Sequence, residues 1–149
     1  MVGRLKAVAA LAALYLPGTP FGNGRNSGWP RVVRALEGGD DPAASLRQAG
    51  LVEEAAALTD EAMTWGLAQV EADAVLSALD DTYPAGWPDR LGQSAPPVVW
   101  RHGSVPAGPW VTVVGSRGIL PTQIAIAGAV GGALVQQGWG VVSGGARGT

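Results

Sequence analysis

Apolar residues recur at helical spacing through the first half of the chain. Within residues 51–79 they lie three and four positions apart, which is the period of a helix buried on one side. Two shorter helices are predicted before this stretch, because Pro30 and Pro42 suit a first helical turn and glycines follow each segment. Residues 1–81 are therefore predicted to form a helical N-terminal region, in which Gly66 weakens or splits the long helix.

The N-terminal stretch allows two interpretations. Arg4 and Lys6 precede an apolar run from Ala7 to Leu16, which resembles the charged and apolar regions of a secretory signal. This run is shorter than the roughly 20 apolar residues that a bilayer span requires. The same residues also suit a buried first helix that ends before Pro17. Because a clean small-residue cleavage site is missing, we favour the helix and expect a cytoplasmic protein.

The pattern changes after residue 81. Residues 82–97 are rich in proline and follow neither the helical nor the strand period, so a linker or an irregular packed segment is predicted there. A short strand is predicted at 98–100. The rest of the chain, within residues 98–149, is predicted to begin a new domain.

Two apolar runs, at 110–114 and 139–142, flank a helical stretch at 123–137 that Gly138 closes. Strand, helix and strand in this order predict one βαβ unit. Strands that are apolar throughout are typical of a parallel sheet covered on both faces. The predicted fold class is therefore α/β: a small helical region followed by the first βαβ unit of a parallel sheet, which is incomplete here.

A glycine-rich loop follows each strand of this unit. The carboxyl ends of parallel strands lie at one edge of a sheet, so the two loops are predicted to be neighbours. Glycine lets the backbone approach a ligand closely, and one arginine in each loop suits an anion such as phosphate. Thr122 is interpreted either as a helix N-cap or as a hydroxyl donor to that phosphate. The candidate site residues are Gly115, Ser116, Arg117, Gly118, Thr122, Ser143, Gly144, Gly145 and Arg147.

Several other kinds of site are excluded or disfavoured. The first loop matches neither the G-x-G-x-x-G pattern of dinucleotide-binding folds nor a Walker A loop, which disfavours simple NAD or ATP binding. The chain has no cysteine and one histidine, His102, so disulfides, thiol nucleophiles, Cys-based zinc sites and His-rich metal sites are excluded. We expect His102 to be a surface residue and the pairs Asp40-Asp41 and Asp80-Asp81 to cap turns.

Charge is unevenly distributed along the chain. The formal net charge is −2, but residues 1–81 carry six basic and eleven acidic side chains, whereas residues 82–149 carry four arginines and one aspartate. The basic C-terminal part permits an anionic ligand. Gly128, Gly131 and Gly132 interrupt the predicted helix of the βαβ unit, and we expect them to allow close packing of that helix on the sheet.

Four segments resemble, in order and spacing, the DNA-processing protein A family, also called DprA or Smf. They are Asp81-Thr82-Tyr83-Pro84, Pro96-Pro97-Val98-Val99, Val111 to Arg117, and Val141 to Gly148. The resemblance implies a Rossmann-like (SLOG-type) domain that binds single-stranded DNA in a basic pocket, protects incoming DNA in natural transformation and loads the RecA recombinase. It implies that Arg117 contacts a DNA phosphate and that Ser143, Gly144 and Gly145 line the same pocket. It implies no catalytic step, cofactor, metal or membrane.

Two alternatives remain open. The related lonely-guy phosphoribohydrolases also carry a Gly-Ser-Arg loop and cleave nucleoside monophosphates, although their P-G-G-x-G-T-x-x-E segment is not found in this chain. The family's sheet usually extends further than one βαβ unit, so we expect a truncated fragment whose homodimer surface belongs to the part beyond Thr149. The second alternative is a fragment with no function of its own.

Overall fold

The computed structural model of the chain describes residues 2–22, 28–84, 86–103, 108–115, 118 and 120–144. The chain divides after Gly103 into two compact units. Among the described residues, the first unit contains six α-helices and a two-stranded antiparallel sheet. The second contains one α-helix and a two-stranded parallel sheet. The chain is therefore a mixed α/β protein, as the sequence predicts.

The elements of the first unit are α1 (Val2–Leu14), α2 (Trp29–Leu36), α3 (Pro42–Gln48), α4 (Val52–Ala57), α5 (Asp60–Glu71), β1 (Val75–Ser77), α6 (Gly86–Leu91), a 3₁₀ turn (Gly92–Ser94) and β2 (Val98–Trp100). Those of the second unit are β3 (Trp110–Thr112), α7 (Pro121–Gln136) and β4 (Gly140–Val142).

Helix α1 is the central element of the first unit. Every residue from Ala7 to Ala12 is buried, because α5, α3 and β1 all pack around this helix. The apolar N-terminal run thus forms a core helix, in line with the second of the two interpretations above. Within the described residues, no helix is long and apolar enough to cross a membrane.

The predicted long helix is broken at Leu58 and Thr59 and not at Gly66. The Thr59 hydroxyl accepts a hydrogen bond from the Ala62 N–H at 3.1 Å, which caps the start of α5. Gly66 lies inside α5 and is buried against α1, where a Cβ atom would overlap the carbonyl oxygen of Ala9. This glycine therefore permits close helix packing and does not end a helix.

The helical prediction for residues 1–81 is wrong at β1. Helix α5 ends where Asp73 adopts a left-handed backbone conformation with φ of 52°. The N–H groups of Asp73 and Ala74 then donate to the carbonyl oxygens of Val70 and Gln69, each at 3.0 Å. This is the Schellman pattern that glycine usually provides, and it releases the chain into an extended strand.

Strand β1 pairs antiparallel with β2, with Leu76 opposite Val99. Val75 and Val98 are buried in the same core as α1. Strand β2 is therefore part of the first unit, so the units divide after Gly103, whereas the sequence places the division at residue 98.

The proline-rich segment 82–97 is a packed segment with short helical turns. Tyr83 and Ala95 are buried, and the indole N–H of Trp29 donates to the Gln93 carbonyl oxygen at 3.2 Å. Of the two readings that the sequence left open, the irregular packed segment is the one found.

The second unit has the predicted order of strand, helix and strand. Gly138, two residues after the last residue of α7, has φ of +81°. The N–H groups of Gly138 and Trp139 donate to the carbonyl oxygens of Val135 and Leu134 at 2.9 and 3.0 Å. The predicted glycine cap is thus confirmed as a Schellman motif that turns the chain into β4.

Candidate nucleic-acid interface

The parallel pairing of β3 and β4 sets the geometry of the candidate site. Trp110 lies opposite Gly140 and Thr112 lies opposite Val142. The ladder extends one step further, since the Val113 N–H donates to the Val142 carbonyl oxygen at 2.9 Å. The loops that follow the two strands therefore leave the sheet at one edge, as the sequence predicts.

Five of the nine candidate residues lie in the described part of the chain, and all five are exposed: Gly115, Gly118, Thr122, Ser143 and Gly144. Gly115 follows β3 closely, and Ser143 and Gly144 follow β4. The other four, Ser116, Arg117, Gly145 and Arg147, lie outside the described residues. The structure thus brings the starting points of both loops together. The roles of Arg117 and Arg147 rest on the sequence alone.

The start of α7 differs in one respect from the sequence prediction. Leu120 is the N-cap residue and Pro121 occupies the first turn, which places Thr122 inside the helix. The side-chain oxygen of Gln123 accepts a hydrogen bond from the Leu120 N–H at 2.8 Å. The interpretation of Thr122 as the cap is therefore wrong, because Pro121 fits the first helical position and moves the cap back by one residue.

The helical glycines do not pack closely on the sheet within the described structure. A Cβ atom placed on Gly128, Gly131 or Gly132 would meet no neighbouring atom within 4 Å. Gly128 and Gly131 instead line a cavity of about 370 Å³, which Ser143 also borders. The cavity lies between α7 and the strands and opens beside the start of the second loop.

The apolar surface of the second unit is largely exposed in the described residues. Helix α7 has no buried residue, and Ile126 and Val135 are 63% and 61% exposed. On the strands, Trp110 and Val142 are 45% and 48% exposed. The sheet covered on both faces that the sequence predicts is therefore not found among these residues, because two strands and one helix supply too few layers to enclose them.

One aspartate of each acidic pair acts in a turn, as predicted. The Asp41 carboxylate accepts from the Ala44 N–H at 3.1 Å and so caps α3. Asp80 accepts from both the N–H and the hydroxyl of the fully buried Ser77, at 2.6 and 2.8 Å. Neither arrangement resembles a pair of carboxylates placed for acid and base catalysis.

Asp81 makes an ion pair with Arg4 at 2.8 Å, which the sequence did not predict. Hydrogen bonding to Asp81 raises the pKa of the Arg4 guanidinium. The same arginine also donates to the Leu79 carbonyl oxygen, so it joins the start of α1 to the turn after β1. No local sequence signal could have linked these positions, because they are separated by most of the first unit.

His102, the one histidine of the sequence, is exposed, as expected. Within the described part of the chain, no group of three or more His, Cys, Asp or Glu side chains is placed to hold a metal ion.

Comparison with known proteins matches the C-terminal half of the chain to a protein family. A model of the family described as DNA recombination-mediator protein A matches residues 74–149, which is about half of the chain. No curated protein and no solved structure matches. The matched residues include β1, β2, the parallel pair and both glycine-rich loops. The chain therefore belongs to the DNA recombination-mediator protein A family.

Proposed function

We propose that this chain binds single-stranded DNA at the edge of the sheet where the loops after β3 and β4 meet. The observation that carries the proposal is the parallel register of these strands, which brings Gly115 and Ser143 to one edge. Ligands of open α/β sheets bind at such carboxyl edges. Membership of a DNA recombination family supplies the class of ligand.

The charges of this part of the chain favour a polyanion. Residues 104–149 contain Arg117 and Arg147 and no other Lys, Arg, Asp or Glu. Arg117 contacts a DNA phosphate in this proposal, and the Thr122 hydroxyl, near the positive end of the α7 dipole, donates to it. Ser116, Gly118, Gly144, Gly145 and the hydroxyl of Ser143 complete the pocket, in which glycine lets phosphate approach the backbone.

We extend this proposal to the protein partner and the cellular compartment that the sequence resemblance implies. The edge belongs to a Rossmann-like domain that forms a homodimer in the cytoplasm. The bound strand is protected during natural transformation and then receives RecA, without a catalytic step on the DNA.

Fluorescence anisotropy with a labelled oligothymidine strand tests the DNA-binding step on the full chain. Each phosphate contact in a single strand contributes about 0.7 to the slope of log affinity against log salt. Loss of one charge-assisted contact costs about 1.5–3 kcal/mol, so Arg117→Ala and Arg147→Ala should each weaken binding by about tenfold or more. Each variant should also show a smaller salt slope.

Arg47→Ala is the matched control, because Arg47 is an exposed arginine on α3 in the first unit. It should leave affinity and salt slope unchanged. Binding that does not depend on salt, or an equal loss in all three variants, would contradict the proposal. Release of free base from AMP by the purified chain would favour the phosphoribohydrolase alternative instead.

A further inference from the structure

A groove of about 440 Å³ lies in the first unit, between the end of α1, the turn that follows it and the start of α5. Leu14, which is 1% exposed, forms part of its floor. Leu16, Phe21, Ala62 and Trp65 are among the residues of its walls. Its volume falls within the range of about 300–1,000 Å³ that is typical of ligand pockets. We call it the Trp65 groove.

The wall formed by the turn after α1 is held by its own hydrogen bonds. The Thr19 hydroxyl lies 2.6 Å from the Leu14 carbonyl oxygen and 2.8 Å from that of Leu16. It also accepts from the Gly22 N–H at 3.0 Å. This wall is therefore formed before any ligand binds, which lowers the ordering cost of binding.

The opposite wall, formed by α5, is also fixed by contacts of its own. The Thr59 cap fixes the first turn of α5. The Trp65 ring packs against Trp100 of β2, with 5.5 Å between ring centroids and 55° between the ring planes. The half-buried indole thus presents an apolar surface to the groove while its position is fixed from behind.

The charge around the Trp65 groove is negative. Glu61 is the charged residue among those that line it, and Asp60 precedes it in the first turn of α5. Glu53 and Glu54 occupy the first turn of α4, whose last residue, Ala57, also lines the groove. Residues 1–103 as a whole carry eight basic and twelve acidic side chains.

We propose that the Trp65 groove docks a partner protein through a short basic segment, which inserts one large apolar side chain between lysines or arginines. The apolar walls provide the contact for the inserted side chain, and the carboxylates of α4 and α5 attract the flanking cations. A nucleic-acid strand is disfavoured here, because the same carboxylates repel phosphate. This docking site is separate from the proposed DNA contact and does not depend on it.

Binding of labelled basic peptides to the full chain tests this proposal. The probes carry a central leucine, phenylalanine or tryptophan between pairs of arginines, and a matched peptide carries glutamates instead. We expect at least one basic probe to bind and the acidic one not to bind. Ala62→Phe, whose ring would fill the groove from the first turn of α5, should weaken that binding by about tenfold or more, equivalent to about 1.4 kcal/mol.

Two charge variants on α5 separate the contribution of the rim. Glu61→Lys should weaken basic-peptide binding by up to about fivefold, as expected for a surface charge pair of at most about 1 kcal/mol. Glu71→Lys, at the other end of the helix, should have no effect. Circular dichroism verifies that each variant is folded.

Failure of all three basic probes to bind would overturn the proposal. Equal binding to the wild type and to Ala62→Phe would do so as well. Labelled oligothymidine that binds and is lost in Ala62→Phe would instead assign the groove to nucleic acid.

Discussion

The hydroxyl of Tyr83 donates a hydrogen bond to the carbonyl oxygen of Pro96 at 2.7 Å. The Tyr83 ring also meets the Trp87 ring edge-on, with 5.7 Å between the centroids. These contacts close the segment that contains α6 and the 3₁₀ turn and lead the chain into β2. Two of the four sequence segments that carry the family resemblance therefore stabilise the first unit through contact with each other.

Tyr83→Phe should lower the free energy of unfolding by about 1–3 kcal/mol, because the Pro96 carbonyl group loses its partner. Tyr15→Phe is the control, since the Tyr15 hydroxyl has no protein hydrogen-bond partner in the described part of the chain. Urea unfolding followed by tryptophan fluorescence measures both. Equal effects of the two substitutions would show that the hydrogen bond contributes little.

The first unit should lose stability in alkaline solution. Burial, with a smaller effect from the charge of Glu54, raises the pKa of Tyr15, and burial also raises the pKa of Tyr83. The folded state therefore holds these protons more tightly, so their contribution is complete below about pH 10 and is lost as the pH rises through the folded values. Urea unfolding at about pH 9 and about pH 11 should show this loss. Tyr15→Phe should reduce the difference, and an unchanged difference would contradict the assignment.

Two helical glycines should respond oppositely to alanine. Gly66→Ala places a methyl group against the Ala9 carbonyl oxygen and should destabilise the first unit by about 1–3 kcal/mol. Gly128→Ala meets no neighbouring atom within 4 Å and should stabilise α7 by up to about 1 kcal/mol. Thermal unfolding followed by circular dichroism compares them. A loss of stability in Gly128→Ala would contradict the open surroundings of Gly128 on α7.

The neighbouring aspartates of the turn after β1 should differ in their effects. Asp80→Ala leaves the N–H and hydroxyl of buried Ser77 without their acceptor and should cost about 2 kcal/mol or more. Asp81→Ala removes an exposed, solvent-screened ion pair with Arg4 and should lower the free energy of unfolding much less than Asp80→Ala does. Chemical unfolding of both variants gives the comparison. A larger loss in Asp81→Ala would reverse the assigned roles.

Local sequence signals predict those elements whose ends are marked by common capping residues. Asp41 and Pro42 identify the start of α3, and Gly138 identifies the end of α7. The parallel pair could also be predicted, because two β-branched runs flank one helix at the spacing of a βαβ unit. The sequence therefore located both loops of the candidate site.

Each wrong or missing prediction has a specific structural cause. The sequence does not predict strand β1, because Asp73 takes the left-handed position at which a helix stop is usually marked by glycine. The local pattern predicts a helix break at Gly66, because the neighbour that explains this glycine, Ala9, is distant in sequence. The pairing of β1 with β2 and the Arg4–Asp81 contact are likewise long-range, and no local pattern encodes them.

The family match and the folding unit have different borders. The match begins at Ala74, whereas the first compact unit runs to Gly103 and includes β1 and β2. Val75 and Val98 of these strands are buried together with α1, which lies outside the match. The matched segment is thus not an independent folding unit: any exchange of the N-terminal helices requires a replacement whose surface fits these two valines.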